Sequence, residues 1–420
     1  MSSIKVVDEI MGRGKTWASI NCINSADEYT KFIVITPYLK EVDRYKQECK
    51  SKRFKSPLPL AGSKLAGIKD LIADGENIVS THALLHKFDE EVIRMLKEMN
   101  YVLIMDEVTE VIEEYPITKD DLDMLRENYV DIEEKTGLLK WNENEYLYEG
   151  RFSDIKKLCE LKSLAVYSGD ILMWLFPVEV FEAFDEVYIL TYMFSAQIQR
   201  YYYDFYNIPY SYCYVTGNSI DTYAFSDTPD SEKKNVDYRK LINICYHAKL
   251  NKIGSDYFAL SKTWYEEAGR NGMLKQLKNN VYNYFRNIMN SKASENLWTT
   301  FSEYRSVIKG GRFSHKETFL ELNARATNEK RGRTNLAYTV NRFLNPVIKN
   351  FFSARGIDVR EDDYAVSEMV QFIWRSAIRD GKPVNIYIPS VRMRNLLRKW
   401  INEVSDNKEN NVNEEAVAGN

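Results

Sequence analysis

Over its first 200 residues the chain alternates short apolar runs with amphipathic stretches of helical period. The runs IKVVDEI, KFIVITP, NIVST, YVLIMDE and EVYILTY read as strands. Stretches such as LKEVDRYKQECK and EEVIRMLKEMN lie between them and read as helices. Strand and helix in regular alternation predict an α/β domain with a mainly parallel sheet. The alternation breaks at residues 110–165, an acidic segment whose KWNENEYLYEGRF reads as a β-hairpin with a polar turn. That segment is expected to be an arm inserted into the first domain.

Residues 216–238, TGNSIDTYAFSDTPDSEKKNVDY, are polar and turn-rich and read as a linker. A second mixed region follows. LINICY, NLWTTF, TFLELNA and VNIYIPS read as strands, with helical patterns through 264–290, 334–352, 363–380 and 391–403. The expected organisation is α/β throughout. A first domain spans 1–215 and carries the insertion at about 110–165. The linker follows at 216–238, a second domain at 239–403 and an acidic, disordered tail at 404–420.

The 420 residues are enough for two or three domains and a sizeable core. No run of eighteen apolar residues occurs, so no membrane span is expected. MSSIKVVDEI lacks the pattern of a secretory signal, and the five cysteines include no C-x-x-C, which points to the reducing cytoplasm. The net charge of −4 argues against nucleic acid as a partner, but it hides a local bias. Between residues 298 and 356 there are eleven Lys/Arg against four Asp/Glu, a composition suited to tracking a phosphate backbone. RMRNLLRK at 392–399 either extends that surface or caps the last helix.

The chemistry concentrates at the ends of two strands. After the first comes MGRGKT. The strict phosphate-loop pattern G-x-x-x-x-G-K-[ST] requires Gly at position 9, where this chain has Glu9. Gly12 and Gly14 can supply the backbone angles of a phosphate cradle. With Arg13 between them, Gly12, Gly14, Lys15 and Thr16 form the candidate nucleotide site. Lys15 is placed to reach the β- and γ-phosphates and Thr16 to hold Mg²⁺ at a helix N-terminus. YVLIMDE ends in Asp106 and Glu107, at the strand edge where parallel sheets bind ligands. Asp106 suits the metal ion and Glu107 the attacking water. In FDEVYILT, Asp185 and Glu186 precede their strand and fall at the opposite edge.

Gln371, Arg375 and Arg379 recur every four residues in QFIWRSAIR and share one face if the segment is a helix. Two arginines on an apolar helix require a partner. That partner is a nearby acid, Asp362 or Asp363, or a triphosphate. HALLH spaces His82 and His86 like a metal pair but lacks the Glu of H-E-x-x-H, so no zinc site is expected.

Taken in order, MGRGKT, VITPYLKEVDRY, IVSTHALL, LIMDEVTE, ILTYMFSA and QFIWRSAIR resemble motifs I, Ia, Ic, II, III and VI of superfamily 2 DEAD/DEAH-box helicases. LTYMF, WTTF, NARATN and QFIWRSAIRDGKPVNIYIPS are similar to helicase-like proteins of bacteriophages and mobile elements. The resemblance covers roughly residues 4–400. It implies two RecA-like P-loop domains with ATP and Mg²⁺ in the cleft between them, and Arg375 and Arg379 as fingers. It places Thr36, Pro37, Thr81 and His82 on the nucleic-acid side of the first domain, and Arg325, Thr327 and Asn328 in a motif V-like loop. Thr191 would link hydrolysis to movement. The chain departs from the family in three places. Motif VI has three residues between its arginines, which leaves open which one contacts phosphate. Motif II reads DEVT. No glutamine motif precedes the phosphate loop.

The function the resemblance implies is an ATP-dependent DNA helicase or translocase in phage or mobile-element replication or recombination. Its track would be single-stranded or forked DNA, or RNA, and a replication protein its partner. The alternatives are an ATP-switched DNA-binding remodeller or loading factor that does not unwind, and a terminase-type packaging ATPase.

Overall fold

The structure is a computed structural model, and it describes residues 3–406 apart from 60–62, 143, 145–146, 231–235, 314 and 323–329. The chain separates into two compact units, Met1–Thr228 with Asn345–Val359, and Pro229–Leu344 with Arg360–Asn420.

Among the described residues of the first unit, eight strands form one sheet. In chain order they are β1 (Ser3–Asp8), β2 (Lys31–Thr36), β3 (Phe54–Lys55), β4 (Asn77–Thr81), β5 (Tyr101–Asp106), β11 (Glu186–Thr191), β12 (Ser211–Thr216) and β13 (Ala224–Ser226). The arm between β5 and β11 contributes β6 (Ile112–Glu114), β7 (Val130–Ile132), β8 (Leu139–Trp141), β9 (Leu164–Tyr167) and β10 (Ile171–Leu175). The large sheet has the order β13-β12-β1-β11-β5-β2-β4-β3, and every pair is parallel except β12 with β13. The central strands are buried on both faces, so they read as unbroken apolar runs. Helices α1 (Lys15–Ser25), α2 (Leu39–Glu48), α3 (Lys64–Ala73), α4 (His82–Leu85) and α5 (Glu90–Met99) make the crossovers. One face of the sheet builds a core of Val7, Ala18, Ile20, Val34, Tyr45, Ile104 and Leu190.

The inserted arm is present and has its own core, which includes Leu122, Leu125, Leu139, Phe152, Ile155 and Leu172. Its sheet is antiparallel, β6-β10-β9. The hairpin lies mostly before KWNENEYLYEGRF, which contributes only Lys140 and Trp141 to it among the described residues. Leu139–Trp141 pairs back with Val130–Ile132, and Trp141 stacks on Tyr129 with ring centroids 5.5 Å apart.

Several boundaries differ from those read in the sequence. The first part of the 216–238 segment is the turn and second strand of the β12–β13 hairpin, so it belongs to the first unit. Helix Pro346–Ser353, which the sequence pattern assigns to the second domain, also joins the first unit. There Arg355 donates to Thr136 O at 2.6 and 2.9 Å and lies 3.8 Å over the Phe351 ring.

The second unit carries β14 (Ile242–Ile244), β15 (Asn296–Thr299), β16 (Asn335–Tyr338) and β17 (Val384–Tyr387) in the parallel order β14-β17-β16-β15. The sequence pattern places residues 335–338 in a helix; they form a fully buried central strand instead. TFLELNA forms no strand of its own over its described residues, only a bridge from Phe319 to Trp298. The last helix, Val391–Asp406, runs into the expected tail, and residues 407–420 lie outside the described residues. The fold class is therefore α/β with mainly parallel sheets and an arm in the first unit. No helix among the described residues is long and apolar enough to cross a membrane. All five cysteines are free thiols.

Candidate nucleotide-binding site

β1 ends at Asp8, and the chain turns through Glu9–Gly14 into α1. Gly12 and Gly14 have φ of +84° and +89°, angles at which a Cβ is strained. Glu9 occupies the position of the missing consensus glycine, yet its φ is not positive. No glycine is needed there. Gly14 is the N-cap of α1, no side chain caps that end, and Ala18 N–H donates to Gly14 O at 2.8 Å. The Lys15 ammonium folds back onto Glu9 O. The first turn thus presents backbone amides and one cation, a constellation suited to an anion.

The acid pair lies at the same sheet edge. Register aligns Asp8 with Thr191 and Leu190 with Asp106. Thr16 Oγ1 is 3.4 Å from both carboxylate oxygens of Asp106. Glu107 follows with φ of +103°, a strained angle for a side chain of its size. Two contacts hold its carboxylate: Thr191 Oγ1 donates to Oε1 at 2.8 Å, and Val108 N–H at 3.2 Å. Asp8 accepts from the amides of Met193 and Phe194 at 2.6 and 2.8 Å, tying the base of the loop to the segment after β11. Asp185 and Glu186 lie at the far edge, where Glu186 pairs with Lys5 at 3.2 Å.

Electrostatics marks the same place. Burial pushes the Asp106 carboxyl up to about 7; Glu41 and Glu107 push the same way, while Arg44 and Lys15 oppose. Burial pushes Lys15 down, against Glu107, Glu9, Asp8 and Asp106. Asp8 is raised by burial despite its two amide donors. Carboxylates strained toward neutrality beside an enclosed ammonium characterise functional sites.

Other sequence candidates fall less simply. Thr36 ends β2 fully buried, with its hydroxyl donating to Tyr38 O at 3.1 Å, so it offers no surface to a nucleic acid. Pro37, Thr81 and His82 are half-buried at the same edge. His86 turns away toward Thr109 Oγ1 at 2.8 Å and the rings of Trp174 and Phe176. Among the described residues no three His, Cys, Asp or Glu side chains group as a metal site. Arg325, Thr327 and Asn328 lie outside the described residues.

In the second unit the expected one-helix stripe does not form. Helix Glu361–Ile373 holds Gln371, Arg375 lies beyond its C-cap, and Arg379 sits in a separate 3-10 turn, Ala377–Asp380. Ser376 Oγ donates to Ile373 O and Ala377 N–H to Arg333 O, which ends the helix. Gln371 and Arg375 are buried. Asp362, one acid offered as their partner, binds Arg392 at 2.6 Å instead. Arg392 is itself buried, bonded to Asn341 and Arg342 O, and stacked over Phe343. The basic stretches are thus partly structural. Arg333 donates to Ala293 O, and Arg342 pairs with Glu368.

Sequence reasoning missed residues around the loop. Trp17 carries Arg44 stacked at 4.9 Å, and Arg44 pairs with Glu41 at 3.3 Å. Tyr223 packs on Gly14 from the β12–β13 hairpin. Trp17 adjoins the loop in sequence and could have been noticed; Tyr223 had no local signal.

Two family models match the chain, the YonV middle domain at residues 112–174 and the YonV C-terminal Rossmann-like domain at 236–401. The first match falls on the inserted arm; the second covers most of the second unit together with residues 345–359 of the first. Among solved structures, S. tokodaii Xpd4 aligns over 95% of this chain and 94% of its own, at 12% identity and a TM-score of 0.46. The DUF1998 helicase MrfA bound to DNA and AMPPNP aligns over 96% and 48%, at 10% identity and 0.37. A point variant of S. cerevisiae Dbp5 bound to RNA and ADP BeF3 aligns over 97% and 84%, at 12% and 0.35. In the first unit β11 stands between the loop strand and the acid strand, and the second unit is a parallel, Rossmann-like sheet; both fit RecA-like domains. The SPbeta prophage-derived uncharacterized protein YonV of Bacillus subtilis (strain 168) is 43% identical over 414 residues, 96% of this chain and 99% of its own length. Identity at that level across nearly the whole of both sequences means that this chain belongs to the YonV family.

Proposed function

We propose that this chain is a nucleic-acid-stimulated ATPase, a helicase-like translocase that works on phage DNA during replication or recombination. One observation carries the reading: Lys15, Thr16, Asp106, Glu107 and Thr191 converge at one edge of a parallel sheet, around the first turn of α1. The amides of Gly12–Thr16 would cradle a triphosphate, and Lys15 would exchange its bond to Glu9 O for a phosphate oxygen. Glu107, oriented by Thr191, would accept a proton from the attacking water. Thr16 and Asp106 offer hard oxygen donors of the kind Mg²⁺ takes, and a cation there would restore Asp106 to its ionised form. When bound, Mg²⁺ supplies charge neutralisation of the phosphates. Support for nucleic acid comes from the helicase-like motif order, from Pro37, Thr81 and His82 at the same edge, and from the local basic bias. The prophage origin of the relative supports a role in phage DNA metabolism, where DNA rather than RNA is the expected track.

The test is steady-state ATP hydrolysis alone and with single-stranded DNA, forked duplex or RNA, beside Lys15→Ala. Stimulation by one nucleic acid, lost in the variant, is expected and names the track. Hydrolysis that survives Lys15→Ala unchanged removes the phosphate loop from the mechanism.

A further inference from the structure

The loop of the β12–β13 hairpin closes over the phosphate loop. The Tyr223 ring lies against Gly14 so closely that a Cβ on Gly14 would sit 2.3–2.6 Å from three ring atoms. Two features hold it there. Asn21 Nδ2, on α1, donates to Ile220 O and Tyr223 O at 2.8 and 2.9 Å. Within the loop, Thr222 Oγ1 accepts from the amides of Asn218 and Ser219 at 3.2 and 3.1 Å. Gly217, at φ +89°, lets the turn close, since a Cβ there would meet Thr222 O at 2.3 Å. Tyr223 is half-buried, packed against the core beside Phe225 but still partly open to solvent.

A bound triphosphate has a direction. Thr16, Asp106 and Glu107 mark its γ-phosphate end, on the β11–β5 side of β1. On that reading the α-phosphate, ribose and base would extend toward the other neighbour of β1, which is β12. The aromatic ring standing there is Tyr223. We infer that Tyr223 is the stacking platform for the nucleotide base, held in place by Asn21 and selective for purine rings by stacking area. This rests on the phosphate-loop reading above. The Asn21 amide is already engaged by the loop, so the platform reads the face of the base rather than its edge. The site therefore accepts adenine and guanine with similar affinity, and binds pyrimidine nucleotides more weakly.

The experiment is equilibrium binding of ATP, GTP, CTP and inorganic tripolyphosphate to the full chain, with Tyr223→Ala, Tyr223→Phe and Lys15→Ala. Tyr223→Ala should weaken ATP and GTP by about tenfold to a hundredfold, the range of one lost base–aromatic stack, and leave tripolyphosphate unchanged. Tyr223→Phe should bind as wild type. Equal weakening of ATP and tripolyphosphate would make Tyr223 a purely structural support and overturn the inference. So would unchanged or tighter ATP binding in Tyr223→Ala, the second meaning that the ring only obstructs the site. In both cases a loss of tripolyphosphate binding in Lys15→Ala would leave the phosphate loop standing. Wild-type protein that binds none of the four ligands overturns both readings.

Discussion

Asp106 should make the ligand-free protein less stable, and replacing it should show by how much. Its carboxyl is pushed up to about 7 in the fold, chiefly by burial, against an ordinary 3.8. Between those values the folded protein keeps a proton that the unfolded chain has released. Stability contributed by this group therefore falls as pH rises through the window, and the cost is complete above pH 7. A shift of about three units at about 1.4 kcal/mol each gives an upper bound of about 4 kcal/mol. Asp106→Asn keeps the shape and removes the charge. It gives up only the long 3.4 Å contacts to Thr16, which are weak at that distance. In chelator-treated protein the variant should be more stable than wild type at pH 8, by about 1–4 kcal/mol, with the difference closing toward pH 4. Urea midpoints across that range measure it. Adding Mg²⁺ at pH 8 should stabilise wild type and leave the variant unmoved, because only the carboxylate gains a partner. A variant less stable than wild type at pH 8, or a difference independent of pH, would refute the argument that the fold strains this acid.

Four further outcomes follow from other contacts. Thr191→Val removes the 2.8 Å bond that orients Glu107; if the proposed ATPase reading holds, with Glu107 as proton acceptor, it should lower kcat by about tenfold while leaving KM for ATP nearly unchanged. Gly67→Ala should destabilise by about 1–3 kcal/mol in a urea titration. The added Cβ would lie 2.1 Å from Leu58 O, and the helix-propensity gain of about 1 kcal/mol for alanine in α3 does not offset a backbone clash. Arg392→Met should cost about 3 kcal/mol, measured as the shift in urea midpoint, because it orphans Asn341 and the Arg342 carbonyl inside the second unit. Asp362→Asn should cost less, as that carboxylate is 57% exposed.

The first unit was legible because its signals are local. A strand buried on both faces in a parallel sheet needs a continuous apolar run, so Lys31–Thr36, Tyr101–Asp106 and Glu186–Thr191 announced themselves. Strand direction then put Asp106 at the ligand edge and Glu186 at the other. Residues 335–338 failed for the converse reason. NLAY is four residues between polar flanks, and so short an apolar run does not distinguish helix from strand. Pairing with β15 on one side and β17 on the other decides it, and both partners are more than thirty residues away. The β12–β13 hairpin reads as a linker because a loop rich in Gly, Asn, Ser and Asp looks the same whether it connects domains or closes an edge hairpin.

The arginines show how charge misleads when tertiary structure is absent. QFIWRSAIR contains neither Gly nor Pro, so its periodicity runs on past the point where the helix stops. Where it stops, Ser376 bonds back three residues to Ile373 O, a bond open to a serine anywhere in a helix, and Ala377 pairs with Arg333 O, a distant partner that spacing does not identify. The same blindness inflates the basic surface. Arg333, Arg342, Arg355 and Arg392 count as cations in the composition, yet each is committed to carbonyls, carboxylates or aromatic rings of its own unit. A cation engaged in this way contributes to the fold and is not available to a phosphate backbone without breaking those bonds. If the chain binds DNA as proposed, the salt dependence of that binding should therefore be shallower than the eleven cations between 298 and 356 suggest, with a slope set by the residues not so engaged. Arg392→Met should leave that slope unchanged while lowering stability, which separates the structural cations from those that face a nucleic acid.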